Sequence, residues 1–163
     1  MSFDGAGDWV AVPDAAALDL TAGLTLEAWV NPTNVGYYRT ILAKTTNGLP
    51  VNYYLSLSNG TLTFGFFNGA WREHRASVGP ALNAWSHVAA TFNDAANQVV
   101  LYLNGTAVLT SAETTSLTTN ADQLRIGIGF PDEAFAGRID EVRVYNRALN
   151  AAEVAADRLR AVP

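Results

Sequence analysis

The chain's 163 residues, 49% hydrophobic and 15% charged, suit one globular domain spanning 1–163 with a two-layer core, and no stretch has the length and apolarity of a membrane-spanning helix. Its net charge is −5 and its ten Lys and Arg form no run, so there is no basic stripe to track phosphates and nucleic acid is a poor partner. The absence of cysteine excludes disulfides and thiolate metal or redox sites.

Met1-Ser2-Phe3 runs directly into folded-looking sequence with no apolar targeting segment, so an export signal is expected to lie outside this sequence. Short apolar runs then recur every eight to fifteen residues, each bounded by Gly, Asn, Pro or Asp. That is the spacing of an all-β sandwich or jelly roll rather than of βαβ units. Val10 and Val12 alternate with Trp9 and Ala11, and Leu24, Leu26, Ala28 and Val30 form one face of a strand with Thr25, Glu27 and Trp29 on the other. Tyr53 to Leu57 and Thr61 to Phe67 are joined across Ser58-Asn59-Gly60, a hairpin signature. Trp85 to Phe92 and Val99 to Leu103 precede a second Asn-Gly turn at Asn104-Gly105. Apolar residues on both faces of Val99 to Leu103 mark a central strand. Leu124, Ile126 and Ile128 alternate with Arg125, Gly127 and Gly129, where the glycines leave room for a close neighbour. Val100, Leu101, Leu103, Phe92, Ile126 and Val142 are the expected core.

The last strand carries a break in phase. Phe135 and Ile139 share one face, whereas Val142 and Val144 take over that face beyond Asp140-Glu141, so one residue is extra and a β-bulge is expected there. Asn150 with Glu153 three residues on is a capping-box pattern that opens a single helix, Ala151 to Arg160, expected to cover an end or edge of the sandwich.

Phe3-Asp4-Gly5 with Asp8, Leu24-Thr25-Leu26-Glu27-Ala28-Trp29-Val30, Trp85-Ser86-His87-Val88-Ala89, Leu101-Tyr102-Leu103-Asn104-Gly105 and Ile139 through Leu149 together resemble the laminin G-like jelly roll family of the concanavalin A-like lectin/glucanase superfamily. The resemblance spans nearly the whole chain and implies an all-β fold: a two-sheet antiparallel jelly-roll sandwich with one short C-terminal helix. The fold hosts lectins, carbohydrate-binding modules, adhesion domains and glycosidases, so function has to come from a site.

Retaining glycosidases of this superfamily carry a Glu-x-Asp-x-x-Glu strand that sets two carboxylates about 5 Å apart. No such pattern occurs here: Asp140-Glu141 are adjacent, Asp132-Glu133 fall in a loop, and Glu27 has no acidic neighbour on its strand. No catalytic residue is therefore assigned, and a glycoside hydrolase ranks below a binding domain. Of the two histidines, His87 reads as structural, whereas His74 lies on a polar segment and could meet ligand or solvent. Hard oxygen ligands point to a structural calcium. Its candidate ligands are Asp4, Asp140 and Asp8, because the resemblance implies that the first and last strands lie together. The competing reading of Asp4 is an Asx-turn with Gly5.

Ligand recognition is expected at an aromatic and basic cluster: Tyr37, Tyr38 and Arg39, Tyr53 and Tyr54, Trp71 and Arg72, His74 and Arg75. Flat rings suit the C–H faces of a sugar and Arg supplies planar donors, which fits an acidic or neutral glycan. Trp29 and Trp85 occupy family strand positions and read as packing, while Trp71 follows the turn-like Asn68-Gly69-Ala70 and reads as a platform. The expected function is a non-catalytic, lectin-like carbohydrate-binding module of a larger extracellular or cell-surface bacterial protein. The alternative is a protein-interaction or adhesion domain, and a monomer is the default state.

Overall fold

The computed structural model describes residues 1–45 and 49–160. Among these described residues, twelve strands make two antiparallel six-stranded sheets. The first sheet runs β1 (Ser2–Asp4), β12 (Ala136–Tyr145), β3 (Gly23–Pro32), β8 (Ser86–Asn93), β9 (Gln98–Leu103), β10 (Thr106–Ala112). The second runs β2 (Val10–Val12), β11 (Leu124–Ile126), β4 (Tyr38–Lys44), β5 (Tyr54–Ser58), β6 (Thr61–Phe67), β7 (Trp71–Arg75). Strand spacing points to a sandwich or jelly roll, and the two-sheet jelly-roll sandwich that the family resemblance implies is what forms.

The core lies between the two inner faces. Leu24, Leu26, Ala28 and Val30 of β3 face it as the period of two requires, and they share it with Leu55, Leu57, Leu62, Phe64 and Phe66 of the other sheet. Each of these side chains larger than alanine contributes about 1.5–3 kcal/mol by leaving water. Phe92 sits 6.5 Å from the Phe64 ring and 6.0 Å from Phe66, a stacked and an edge-on contact that lock β8 over β6.

Val99 and Leu101 belong to this core, but Val100 and Tyr102, on the opposite face of β9, do not reach it. They form a second cluster with Ala89, Leu149 and Val154. Val154 comes from α1 (Ala151–Asp157), so the helix covers the outer face of the first sheet and not an edge. That cover explains why β9 is apolar on both faces. The capping box is present: Asn150 accepts from the Glu153 amide and Glu153 accepts from the Asn150 amide. The helix is shorter than expected because Leu159 and Arg160 donate to carbonyls only three residues back, Ala156 and Asp157, and tighten the end into a turn.

The bulge lies where the phase break places it. Asp140 pairs with Trp29 and Arg143 with Glu27, so Glu141 and Val142 share Ala28 as their opposite. Glu141 takes the left-handed conformation, φ 51°, and Val142 packs half-buried against the core. Leu103, at the end of β9, is likewise half-buried. Ile128 falls outside β11, which stops at Ile126, because Gly127 turns the chain at φ 94°. A side chain at Gly127 would collide with the Phe3 ring, so Phe3 is the close neighbour that the glycine admits.

Lys44 is fully buried and was not legible in the sequence. Its ammonium donates to Asp14 at 2.7 Å, to the carbonyls of Asn120 and Asp122 at 2.8 and 2.9 Å, and to the Asn120 side chain at 3.1 Å. Asp19 lies at 3.2 Å. One cation thus fastens the segments at 14–19 and 120–122 to the end of β4.

Candidate functional site

β7 is the outer strand of the second sheet and begins at Trp71, which pairs with Phe67 of β6. Trp71 is therefore the first residue of a strand and not part of the preceding turn. Alternation then sets Trp71, Glu73 and Arg75 on one face and Arg72 and His74 on the other. His74 points to the interior: it is buried, stacks on Phe64 at 6.4 Å and pairs with Glu113 at 3.1 Å. It is turned away from the cleft face and from solvent, and Arg72 is likewise turned away from Trp71.

The outer face carries a cleft of about 400 Å³ lined by Tyr38, Tyr54, Trp71, Glu73, Phe130 and Glu133. Trp71 stands 49% exposed at its side. Its ring is held edge-on by Phe67 at 5.4 Å, Phe130 at 5.8 Å and Tyr54 at 6.2 Å, geometry favoured by the ring quadrupoles. Tyr53 and Tyr54 go to opposite faces, Tyr53 into the core and Tyr54 beneath this cleft.

Glu73 is the polar hub. It accepts from the Tyr54 hydroxyl at 2.6 Å, from the Tyr38 hydroxyl at 2.9 Å and from Arg75 at 3.3 Å. Arg75 also donates to the Tyr38 hydroxyl at 2.8 Å and lies over its ring, 5.7 Å from the centroid, and it is not among the residues that line the cleft. Burial and the hydrogen bond to Glu73 push the Tyr38 and Tyr54 hydroxyls above the usual tyrosine range, so both stay protonated donors.

Glu133 and Phe130 come from the loop between β11 and β12. The Thr40 amide donates to the Glu133 carbonyl at 2.9 Å, the Thr40 hydroxyl donates to its carboxylate at 3.1 Å, and Arg39 donates to the Asp132 carbonyl at 3.2 Å. Arg39 thus anchors the loop and does not line the cleft. Burial, reinforced by the charge of Glu73, raises the Glu133 carboxyl above its ordinary range against the pull of Thr40 and Arg39. Tyr37 is 62% exposed, with its ring edge-on to Tyr38 at 5.4 Å, outside the cleft lining.

Of the expected cluster the cleft unites Trp71, Tyr38 and Tyr54, and it adds Glu73, Phe130 and Glu133. Glu73 had a signal, since period-2 alternation from Trp71 leads to it. Phe130 and Glu133 had none, because a loop has no period.

Trp85 departs from its packing role. It is 41% exposed with Arg138 over its ring at 5.3 Å, and with Trp29, Asp140 and Glu141 it borders a shallower hollow on the first sheet.

For the expected calcium ligands, β1 does lie against β12, but Asp4 pairs with Ala136. Asp140 stands four residues further along β12, about 13 Å away at the rise of a strand. A single ion shared by Asp4 and Asp140 does not fit. Asp4 accepts from the Ala6 amide at 2.7 Å in an Asx-turn, and Asp8 accepts from the Asp4 amide at 3.1 Å. Among the described residues no three His, Cys, Asp or Glu side chains converge as metal ligands.

The family model of laminin G type from the concanavalin A-like lectin/glucanases superfamily matches residues 4–155. The chain belongs to this family. No curated protein sequence matches it at a significant level. Among solved structures, this laminin G-type chain is similar to domain 4 of an extracellular GH43 arabinanase from Geobacillus stearothermophilus, in complex with arabinotriose. The identity is 22% and the TM-score 0.78, over 96% of this chain and 74% of that one. A CBM40 of a Ruminococcus gnavus IT-sialidase, bound to α2,3 sialyllactose, is similar at 15% identity and TM-score 0.72, over 92% and 95%. A heptameric SAP-like pentraxin from Limulus polyphemus is similar at 16% and 0.66, over 94% and 82%. At these identities the likeness shows the shared fold.

Proposed function

We propose that this laminin G-type domain is a non-catalytic carbohydrate-binding module of a larger extracellular or cell-surface bacterial protein, with a sugar ring seated against Trp71. The observation that carries the proposal is the cleft itself, where a half-exposed indole and the Tyr54 and Phe130 rings stand beside the acceptors Glu73 and Glu133. Apolar walls with a few fixed polar groups are what a saccharide needs, C–H faces on rings and hydroxyls on carboxylates. The arabinotriose-bound and sialyllactose-bound relatives support a glycan as the partner.

Although Glu73 and Glu133 share the cleft, binding is favoured over hydrolysis. Both oxygens of Glu73 are occupied by Tyr38, with Tyr54 on one and Arg75 on the other, which suits a rigid acceptor and not a nucleophile or proton carrier. A calcium ion enters this proposal in a structural role near Asp4 and Asp8, each of which brings a second carboxylate oxygen beyond the one that its loop employs. A glycan array with the isolated chain and its Trp71→Ala variant tests the reading. Glycan hits on the parent that vanish in a folded variant are expected. An array with no hits, or hits unchanged in Trp71→Ala, overturns it.

A further inference from the structure

The expectation of an acidic or neutral glycan rested on arginines beside the aromatic residues, and the structure removes each arginine from the cleft lining. Arg72 faces the other side of β7, Arg39 donates to the Tyr38 and Asp132 carbonyls, and Arg75 is held by the Tyr38 hydroxyl and Glu73. What lines the cleft is four aromatic rings and two carboxylates. Glu133 makes no ion pair among the described residues; its carboxylate accepts from the Thr40 hydroxyl.

We infer that the Trp71 cleft selects a cationic sugar, an ammonium-bearing amino-sugar residue whose amine pairs with Glu133 while its ring face rests on Trp71. The inference rests on the glycan-binding reading above and narrows it to a substrate class. Ring faces of Trp and Tyr attract a cation through their quadrupoles, and the attraction grows as the site loses water. Glu133 adds the formal charge at the cleft's far side from β7, and Glu73 lends a second negative charge that Arg75 only partly offsets. The raised proton affinity of Glu133 agrees with this: burial and Glu73 outweigh the help of Thr40 and Arg39, so its negative charge is only partly compensated, a deficit that a bound ammonium fills. An anionic sugar would meet two carboxylates there and no facing arginine. The chain's net charge of −5 draws the same class of ligand toward it.

Calorimetric titration near neutral pH tests this with five probes: a glucosamine oligomer, its N-acetylated counterpart, arabinotriose, sialyllactose and a lysine-rich peptide. The glucosamine oligomer is expected to bind at least tenfold more tightly than its N-acetylated form, with a preference that shrinks on adding salt. Glu133→Gln, checked by its melting curve, is expected to bring the preference close to one, and Trp71→Ala to weaken every probe. Equal affinity for charged and neutral oligomers, or an unchanged preference in Glu133→Gln, overturns the inference while leaving glycan binding intact. Tighter binding of sialyllactose likewise overturns it. A lysine-rich peptide binding as tightly as the amino sugar would reassign the cleft to proteins and overturn the sugar class. Failure of every glycan on a full array is the separate outcome that defeats the underlying reading.

Discussion

The Tyr54 hydroxyl reaches across Gly65 to donate a 2.6 Å hydrogen bond to Glu73. Gly65 pairs with Tyr54 on one side and Glu73 on the other, so the three residues lie in one row across β5, β6 and β7. A side chain at Gly65 would run into the Tyr54 phenol and the Arg72 carbonyl. The glycine is there for space, since its backbone is not in the left-handed region. Gly65→Ala is therefore expected to lift Tyr54 into the cleft, to cost about 1–3 kcal/mol as overpacking does, and to weaken glycan binding. Urea melts beside a glycan titration check both. A variant with parental stability and affinity would mean that the row tolerates a methyl group.

The Lys44 cage makes a second prediction. Lys44→Met keeps most of the stem's packing but takes the donor from Asp14 and from the carbonyls of Asn120 and Asp122, and the counter-charge from Asp19. Loss of one partner of a buried pair costs about 3–5 kcal/mol. Asp14 and Asp19 are each about a third exposed, so water recovers part of that cost and the low end is expected. Chemical denaturation measures it. A change under about 1 kcal/mol would show that solvent replaces the ammonium.

Legibility in the sequence followed periodicity. Leu24 to Val30, the Asn59-Gly60 hairpin and the bulge at Asp140-Glu141 each carry a local pattern, and each formed where the pattern places it. The Asn150 to Glu153 cap was legible for the same reason. Lys44 was not, because its hydrogen-bond partners lie 30 residues before it and 76 after it. At the candidate site Trp71, Tyr38 and Tyr54 were found by residue type. His74 was misjudged because the polar run Arg72 to Arg75 hides an alternation in which every second residue faces inward. Glu133 and Phe130 reach the cleft through a loop that Arg39 and Thr40 hold down, contacts that exist only after β4 and the loop have met.

The calcium proposal predicts a shift on chelation. A ligand that binds only the native state adds RT ln(1 + [L]/Kd) to stability, about 2.7 kcal/mol at one hundred times Kd. Excess chelator should then lower the melting temperature, and Asp8→Asn should lower the parent's melting temperature and shrink that shift. Identical melting curves with and without chelator, together with no metal by elemental analysis, would sink the proposal.

Glu27 and His87 face each other at 4.0 Å on the outer side of the first sheet, both shut away from solvent. Burial first, and then the charge of Asp157, pushes the Glu27 carboxyl up to about 7 in spite of Arg143. Burial, with Arg143 and Arg158, holds His87 down at about 4. Because the folded state keeps the Glu27 proton longer than the unfolded chain does, its contribution is full below pH 4.5 and is lost as pH rises through about 7. His87 has the opposite sign: its contribution is full above pH 6.5 and is lost as pH falls through about 4. Between 4.5 and 6.5 the two slopes oppose each other, so the parent's stability should change little there. Glu27→Gln removes one slope only. The variant should gain on the parent between pH 5 and pH 8, by roughly 3 kcal/mol at most, and its own stability should climb from pH 4 to 6.5 as His87 alone dictates. Paired denaturant melts across that range decide the matter, since a stability difference between variant and parent that is the same at pH 5 and pH 8 would mean that Glu27 does not titrate in this window.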